Sequence, residues 1–110
     1  MPKKYTGKTP FTLPRPLFYK NGVNKEDINA PHTLTYYDSQ WQLLNDTTNT
    51  VGLVITLPAK KNGAWLCIKN KSAGGSFSVK DADGVVISGI PATESALYVC
   101  DGDTWWLTIG

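Results

Sequence analysis

The sequence has little of what most chemistry needs. It holds one histidine, one methionine and two cysteines in 110 residues, too few for a metal cage or a disulfide framework. Cys67 and Cys100 form no Cys-x-x-Cys pair. His32, the single histidine, follows Pro31 with no serine or cysteine beside it to complete a nucleophile arrangement, and no glycine-rich phosphate loop is present. These absences predict a protein that is not an enzyme and binds no cofactor and no metal. No run approaches the roughly 20 apolar residues of a bilayer crossing. Met1-Pro2-Lys3-Lys4 has no apolar stretch behind it, so no secretory signal and no membrane association are expected.

What is present is unevenly spread. Five of the seven prolines (Pro2, Pro10, Pro14, Pro16, Pro31) lie in the first 31 residues, where fixed φ and missing N–H groups oppose helix and central strand alike. The same stretch carries six cations against Glu26 and Asp27, a net +4, whereas the remainder has five cations against seven carboxylates, a net −2. Residues 1–32 therefore read as an extended, basic, Pro-rich arm, and residues 33–110 as one domain. Six cations over 31 residues are too dilute to mark a nucleic-acid site. Tyr5, Phe11, Leu13, Leu17, Phe18 and Tyr19 are more apolar anchors than a linker needs; they fold back on the chain's own body or dock on a partner.

From Leu34 onward the pattern is that of β-structure, short runs rich in Val, Ile, Thr, Tyr and Trp between Gly, Asn, Asp and Pro. Strands are predicted over 33–37, 40–44, 51–57, 64–70, 76–80, 85–88, 96–100 and 104–109. Asn62-Gly63, Gly74-Gly75, Asp83-Gly84 and Asp101-Gly102 supply the positive-φ chemistry of tight hairpins. The expected fold class is all-β, a small antiparallel β-sandwich, jelly roll or barrel with the arm attached. An echo links Val54 to Ile68 with Ile87 to Cys100, each reading strand, Pro-Ala corner, strand. It is either a duplicated unit stacked on itself or the ordinary vocabulary of small β-proteins.

Trp65-Leu66-Cys67-Ile68 and Leu97-Tyr98-Val99-Cys100 do not alternate, which predicts strands buried on both faces and a second layer supplied by oligomerisation. Aligning the echo puts Cys67 opposite Val99, so the two thiols fall on opposite faces and are expected free and buried. Asp81 with Asp83, and Asp101 with Asp103, share an i, i+2 spacing that could hold Ca²⁺, but each pair stands at a turn glycine and reads as turn chemistry. Trp105 and Trp106 are adjacent, so only one can enter a one-sided core. With Tyr36, Tyr37 and Trp65, they are the candidate residues for an oligomer interface or a sugar-stacking platform.

The order Thr56-Leu57-Pro58-Ala59, Gly63, Ile68-Lys69-Asn70, Phe77 to Gly84, Ile90-Pro91-Ala92, Cys100-Asp101-Gly102 and Thr104-Trp105-Trp106 resembles small β-rich virion proteins of tailed bacteriophages. These occur as capsid decoration or head-fibre proteins and as tail-fibre modules. The resemblance covers residues 51–107. Such proteins commonly have Gly after the second Pro-Ala, where this chain has Thr93-Glu94-Ser95. The resemblance implies a capsid decoration (cement) protein, made in the cytoplasm of a bacterial host and residing in the virion, with a body that forms a homotrimer. A tail-fibre or baseplate module is the nearest variant, and a glycan-binding module the alternative of another class. A chain running from Met1 to just past the last predicted strand is expected to stand alone rather than form part of a long fibre. In the decoration case Tyr5, Phe11, Leu17, Phe18 and Tyr19 anchor the arm in grooves of the major capsid protein, while Lys3, Lys4, Lys8 and Arg15 meet acidic surface.

Overall fold

A computed structural model of the chain describes residues 22–110. Nine strands build two facing sheets, with no helix among the described residues. Sheet A has the order β1 (Val23–Ile28), β3 (Trp41–Asp46), β5 (Trp65–Asn70), β8 (Ser95–Cys100), β9 (Trp105–Ile109). Sheet B has the order β2 (His32–Thr33), β4 (Leu53–Thr56), β6 (Phe77–Lys80), β7 (Val86–Ile90). The all-β expectation agrees with this architecture of two sheets.

The sheets are mixed rather than antiparallel. From β1 to β6 the chain alternates between sheets, so each strand lies parallel to the strand two places earlier: β1 with β3, β3 with β5, β2 with β4 and β4 with β6. A parallel neighbour needs a long crossover, and here the crossover is the strand in the opposite sheet. Only then does the chain reverse. The pairs β6–β7, β5–β8 and β8–β9 are antiparallel. Both echo segments run from sheet B through a Pro-Ala corner into sheet A, β4 to β5 and β7 to β8, and they run in opposite directions.

The turn dipeptides divide accordingly. Asp83-Gly84 and Asp101-Gly102 close the β6–β7 and β8–β9 hairpins, with Gly84 and Gly102 at positive φ. Asn62-Gly63 and Gly74-Gly75 do not close hairpins; they carry the chain between sheets. A dipeptide that tolerates a sharp bend determines the bend, and the destination follows from which strand finds a partner. Two further departures concern strands. Val23–Ile28, within the arm of the sequence prediction, is β1 and pairs along its full length with β3. The strand predicted over 33–37 ends at Thr33, because Asp38 Oδ2 accepts the Thr35 N–H at 2.7 Å and closes a turn that holds Tyr36 and Tyr37.

Strict alternation builds the core. Leu44, Leu66, Ile68, Tyr98, Cys100 and Trp105 point inward from sheet A and meet Leu53, Ile55, Phe77, Val79 and Ile90 from sheet B. The Tyr98 hydroxyl shares a 2.7 Å hydrogen bond with Ser88 of β7, a polar link between the sheets. Burial pushes the Tyr98 phenol up from its ordinary range, and the Ser88 contact works in the other direction.

Buried polar side chains organise one end of the sandwich. Asp46, at the end of β3, accepts the Thr48 N–H at 2.8 Å, the Thr48 hydroxyl at 2.6 Å and the Thr50 N–H at 2.7 Å. Asn70, at the end of β5, accepts the Ser72 N–H at 2.9 Å and donates to Ile90 O at 3.0 Å. The β3–β4 and β5–β6 corners stack directly, Ser76 N–H donating to Thr50 O at 3.1 Å and Gly52 N–H to Ser76 O at 3.0 Å. Gly75 sits where a Cβ would lie 2.6 Å from Thr50 O, a backbone contact that no side chain could share.

Candidate functional site

The alternation that sends Leu66 and Ile68 inward sends Trp65 and Cys67 outward, and every inner strand of sheet A repeats this. Register then assembles the outward residues into rows. One runs Val23, Trp41, Cys67, Leu97, Ile109 across all five strands, and its neighbour runs Trp65, Val99, Trp106. A third row, Lys25, Leu43, Lys69, Ser95, is half basic. The outer face of sheet A therefore has a tryptophan end and a lysine end.

Trp41 and Trp65 meet edge to face, with centroids 5.6 Å apart and planes at 81°, a favoured arrangement for aromatic pairs. Beside them an open groove is lined by Trp41, Gly63, Ala64, Trp65, Leu97 and Val99. It continues toward the lysine end along Leu43, Cys67, Lys69 and Ser95. Trp106 is 54% exposed and Ile109 68%, at the edge where, among the described residues, no further strand follows β9. Contiguous apolar surface of this kind marks a place where another surface sits.

The predicted residues separate on this map. Trp65 and Trp106 lie on the outer face of sheet A. Trp105 points into the core at 1% exposure and donates its indole N–H to Pro58 O at 3.1 Å, so it is not available as a platform. Tyr36 and Tyr37 lie on the β2–β3 turn. The Tyr36 hydroxyl donates to Ala59 O, and the Lys61 ammonium stands 5.7 Å from its ring centroid. Tyr36 borders a cleft of about 240 Å³ with Thr35, Asp38, Pro58, Lys61 and Trp65. Trp41, whose sequence raises the same question as Tyr36 and Tyr37, belongs to the face, and so do Leu43, Leu97, Val99 and Ile109, which stand outside the predicted set. Their signal was the non-alternating apolar run, which reflects a half-exposed outer face rather than two fully buried ones. The arm residues Lys3, Lys4, Tyr5, Lys8, Phe11, Arg15, Leu17, Phe18 and Tyr19 lie outside the described residues.

The titratable groups are occupied by structure. Asp81 Oδ1 accepts the N–H groups of Asp83 and Val85, both at 2.9 Å, and Lys60 Nζ stands 3.8 Å from Asp81 and 3.4 Å from Asp83. Asp101 accepts the Trp106 indole N–H at 3.0 Å and the N–H groups of Asp103 and Thr104 at 2.8 Å, which hold its carboxyl below the usual range. Both cysteines are free. Cys100 is buried in the core, whereas Cys67 stands half-buried on the outer face, its thiol pushed up by burial. His32 Nε2 lies 3.9 Å from Glu26. Among the described residues no three His, Cys, Asp or Glu side chains gather as metal ligands, and no helix is long and apolar enough to cross a membrane.

Neither a protein-family model, nor a curated protein, nor a solved structure matches the chain.

Proposed function

We propose that this chain is a structural assembly protein, a capsid decoration or head-fibre protein of a tailed bacteriophage, whose β-body associates as a homotrimer while its basic arm fastens it to the major capsid protein. The observation that carries the assembly part is the β9 side of sheet A. Trp106, Leu107 and Ile109 are all exposed there, and the strand holds no lysine and no proline to discourage pairing. The virion part rests on the resemblance over residues 51–107, and the arm supplies cations and aromatics suited to a protein lattice.

Light scattering behind a sizing column tests the body. A mass of about 36 kDa, three times the 12.0 kDa chain, is expected, and a mass of about 12 kDa overturns the trimer. Cosedimentation with phage capsids tests the arm: the full chain pellets and a variant lacking residues 1–20 does not. If the truncated body pellets equally well, the arm is not the anchor.

A second function is favoured by one contact, the Trp106 indole held open to solvent by the Asp101 carboxylate, since a fixed exposed aromatic beside a carboxylate suits a sugar ring. A change in tryptophan fluorescence on adding oligosaccharides, lost in Trp106→Ala, is the outcome that supports it.

A further inference from the structure

The turn dipeptide Asn62-Gly63 has a chemistry that assembly does not use. It stands on the corner between β4 and β5, in a turn closed by the Ala64 N–H on Lys61 O at 3.0 Å, with Gly63 at φ +89. A type II turn requires that positive φ at its third residue. Both residues are exposed. An asparagine before glycine holds both partners of a reaction, because its side-chain amide lies next to a main-chain nitrogen that no following Cβ screens. Among the described residues Asn62 is the asparagine so placed; Asn24, Asn29, Asn45, Asn49 and Asn70 all precede residues with a Cβ. The acids of Asp83-Gly84 and Asp101-Gly102 would have to expel water from a protonated carboxyl, and Asp101 is held ionised by the Trp106 indole and the N–H groups of Asp103 and Thr104.

The fold withholds the attacking nitrogen. Gly63 N–H donates to Cys100 O at 2.9 Å, and Cys100 N–H donates to Ala64 O at 2.8 Å, a pair of bonds that extends the β5–β8 ladder beyond Trp65 and Val99. We propose that Asn62 is a spontaneous deamidation site gated by the β5–β8 pairing, closed while Gly63 is bonded to Cys100 and open when that end of the ladder lets go. In the open state the Gly63 nitrogen gives its proton to hydroxide and attacks Asn62 Cγ. The N–Cγ bond forms, the Cγ–Nδ2 bond breaks, and Nδ2 takes a proton from water and leaves as ammonia. Water then opens the five-membered imide. Cleavage at Cγ leaves aspartate, whereas cleavage at the main-chain carbonyl leaves an isoaspartyl linkage with one more carbon in the main chain. A Cβ on Gly102 would stand 3.3 Å from the Asn62 Cβ, so either product puts a new carboxylate against the β8–β9 turn. The isoaspartyl linkage also lengthens the corner, so Gly63 no longer meets Cys100 in register and the modified end stays open. The site does not depend on the virion assignment.

The full chain is aged at mildly alkaline pH, folded and in concentrated urea, and its tryptic peptides are quantified by mass spectrometry. Cleavage after Lys20, Lys25, Lys61 and Lys69 puts Asn62 on a different peptide from Asn21, the other asparagine before glycine in the sequence. Asn62 is expected to convert roughly tenfold or more slowly in the folded chain than in urea. At sub-denaturing urea its rate should rise in step with hydrogen exchange of the Gly63 amide. Equal rates in the folded and unfolded chain overturn the proposal, because the pairing would then withhold nothing. So does conversion that fails to follow Gly63 exchange. Asn62→Gln, whose longer side chain needs a six-membered ring, should stay unmodified over the same period; release of ammonia from its peptide at the original rate overturns the imide route. In the isolated isoaspartyl product the Cys100 amide is expected to exchange faster than in the fresh chain. Unchanged exchange there would show that the modified corner closes again and overturn the open end.

Discussion

The two outer faces of the sandwich are built by the same alternation and end with opposite characters. Sheet B turns Thr33, Thr56, Lys80 and Val86 outward in one row and Val54, Ser78 and Gly89 in the next, with no aromatic side chain and two valines as the only apolar ones. Sheet A turns out Trp41, Leu43, Trp65, Cys67, Leu97, Val99, Trp106 and Ile109. The inward positions of both sheets are mostly apolar, and the buried polar ones of sheet A, Gln42, Asp46 and Asn70, are hydrogen-bonded. The outward positions are not constrained by the core, and they differ sharply between the two sheets.

The severest way to break the comparison is to unstack the corners that hold both sheets together. Gly75→Val places side-chain atoms against Thr50 O and the Asn49 backbone, neither of which can yield as a flexible side chain would. A loss of about 3 kcal/mol is expected, measured by urea denaturation. Both faces should become accessible to hydrogen exchange together; survival of sheet A alone would show that the sheets are not mutually dependent.

Next in size is Asp46. Burial opposes its charge, but hydrogen bonds from the Thr48 hydroxyl and from the N–H groups of Thr48, Thr50 and Asn49 outweigh that and hold the carboxyl below its ordinary value. Its folded-state pKa is depressed, so its contribution is fully present above the unfolded pKa near 4 and is lost as pH falls through the folded value. Stability should be level from pH 7 to about 5 and drop below about pH 4. Asp46→Asn should cost about 2 kcal/mol at pH 7 and flatten that acid limb. Thermal melts across pH measure both; an unaltered limb would assign the acid sensitivity to another carboxylate.

Two edge substitutions sharpen the contrast itself. Ile109→Lys on β9 and Val86→Lys on β7 replace exposed residues of similar exposure, 68% and 59%, so each should change folding stability by less than about 0.5 kcal/mol. Self-association should weaken at least tenfold, or about 1.4 kcal/mol, for Ile109→Lys and stay unchanged for Val86→Lys. Equal effects in a dilution series by light scattering would remove the functional difference between the edges.

The smallest effect lies at the β7–β8 corner. Thr93 adopts φ +70, a left-handed conformation that a β-branched residue enters at a cost, held by its N–H on Asn70 O at 2.9 Å and by Lys69 Nζ on its carbonyl. Thr93→Gly should stabilise by about 0.5 to 1 kcal/mol, the steric relief outweighing the added freedom of the unfolded chain. A lower melting temperature would show that the side chain contributes more than its backbone costs.

Much of this is legible locally. The strands predicted from residue 51 onward overlap β4 to β9 closely, because Val, Ile, Tyr and Trp runs between turn residues carry their own signal. Adjacency alone requires Trp105 and Trp106 to divide between core and exterior, and period-two geometry does divide them. β1 is not legible: Asn24, Lys25, Glu26 and Asp27 are polar, and they form a strand because β3 offers a ladder, with Asn24 donating to Gln42 Oε1 at 2.7 Å and Asn45 to Asp27 at 3.1 Å. The outer face of sheet A is half legible. Its apolar runs are visible, but the row that joins Trp41 to Cys67, Leu97 and Ile109 exists only through register.

The sequence by itself determined that the chain makes β-structure, where most strands stop and which side chains alternate, since these depend on residues within a few positions of one another. The tertiary structure decided which strands are neighbours and in what direction they run. The same bend at Asn62-Gly63 could have returned β5 beside β4, yet β5 crosses to lie between β3 and β8. Partner choice depends on the fit of surfaces far apart in the chain, and only when those surfaces met did one apolar face come together and the other fail to form.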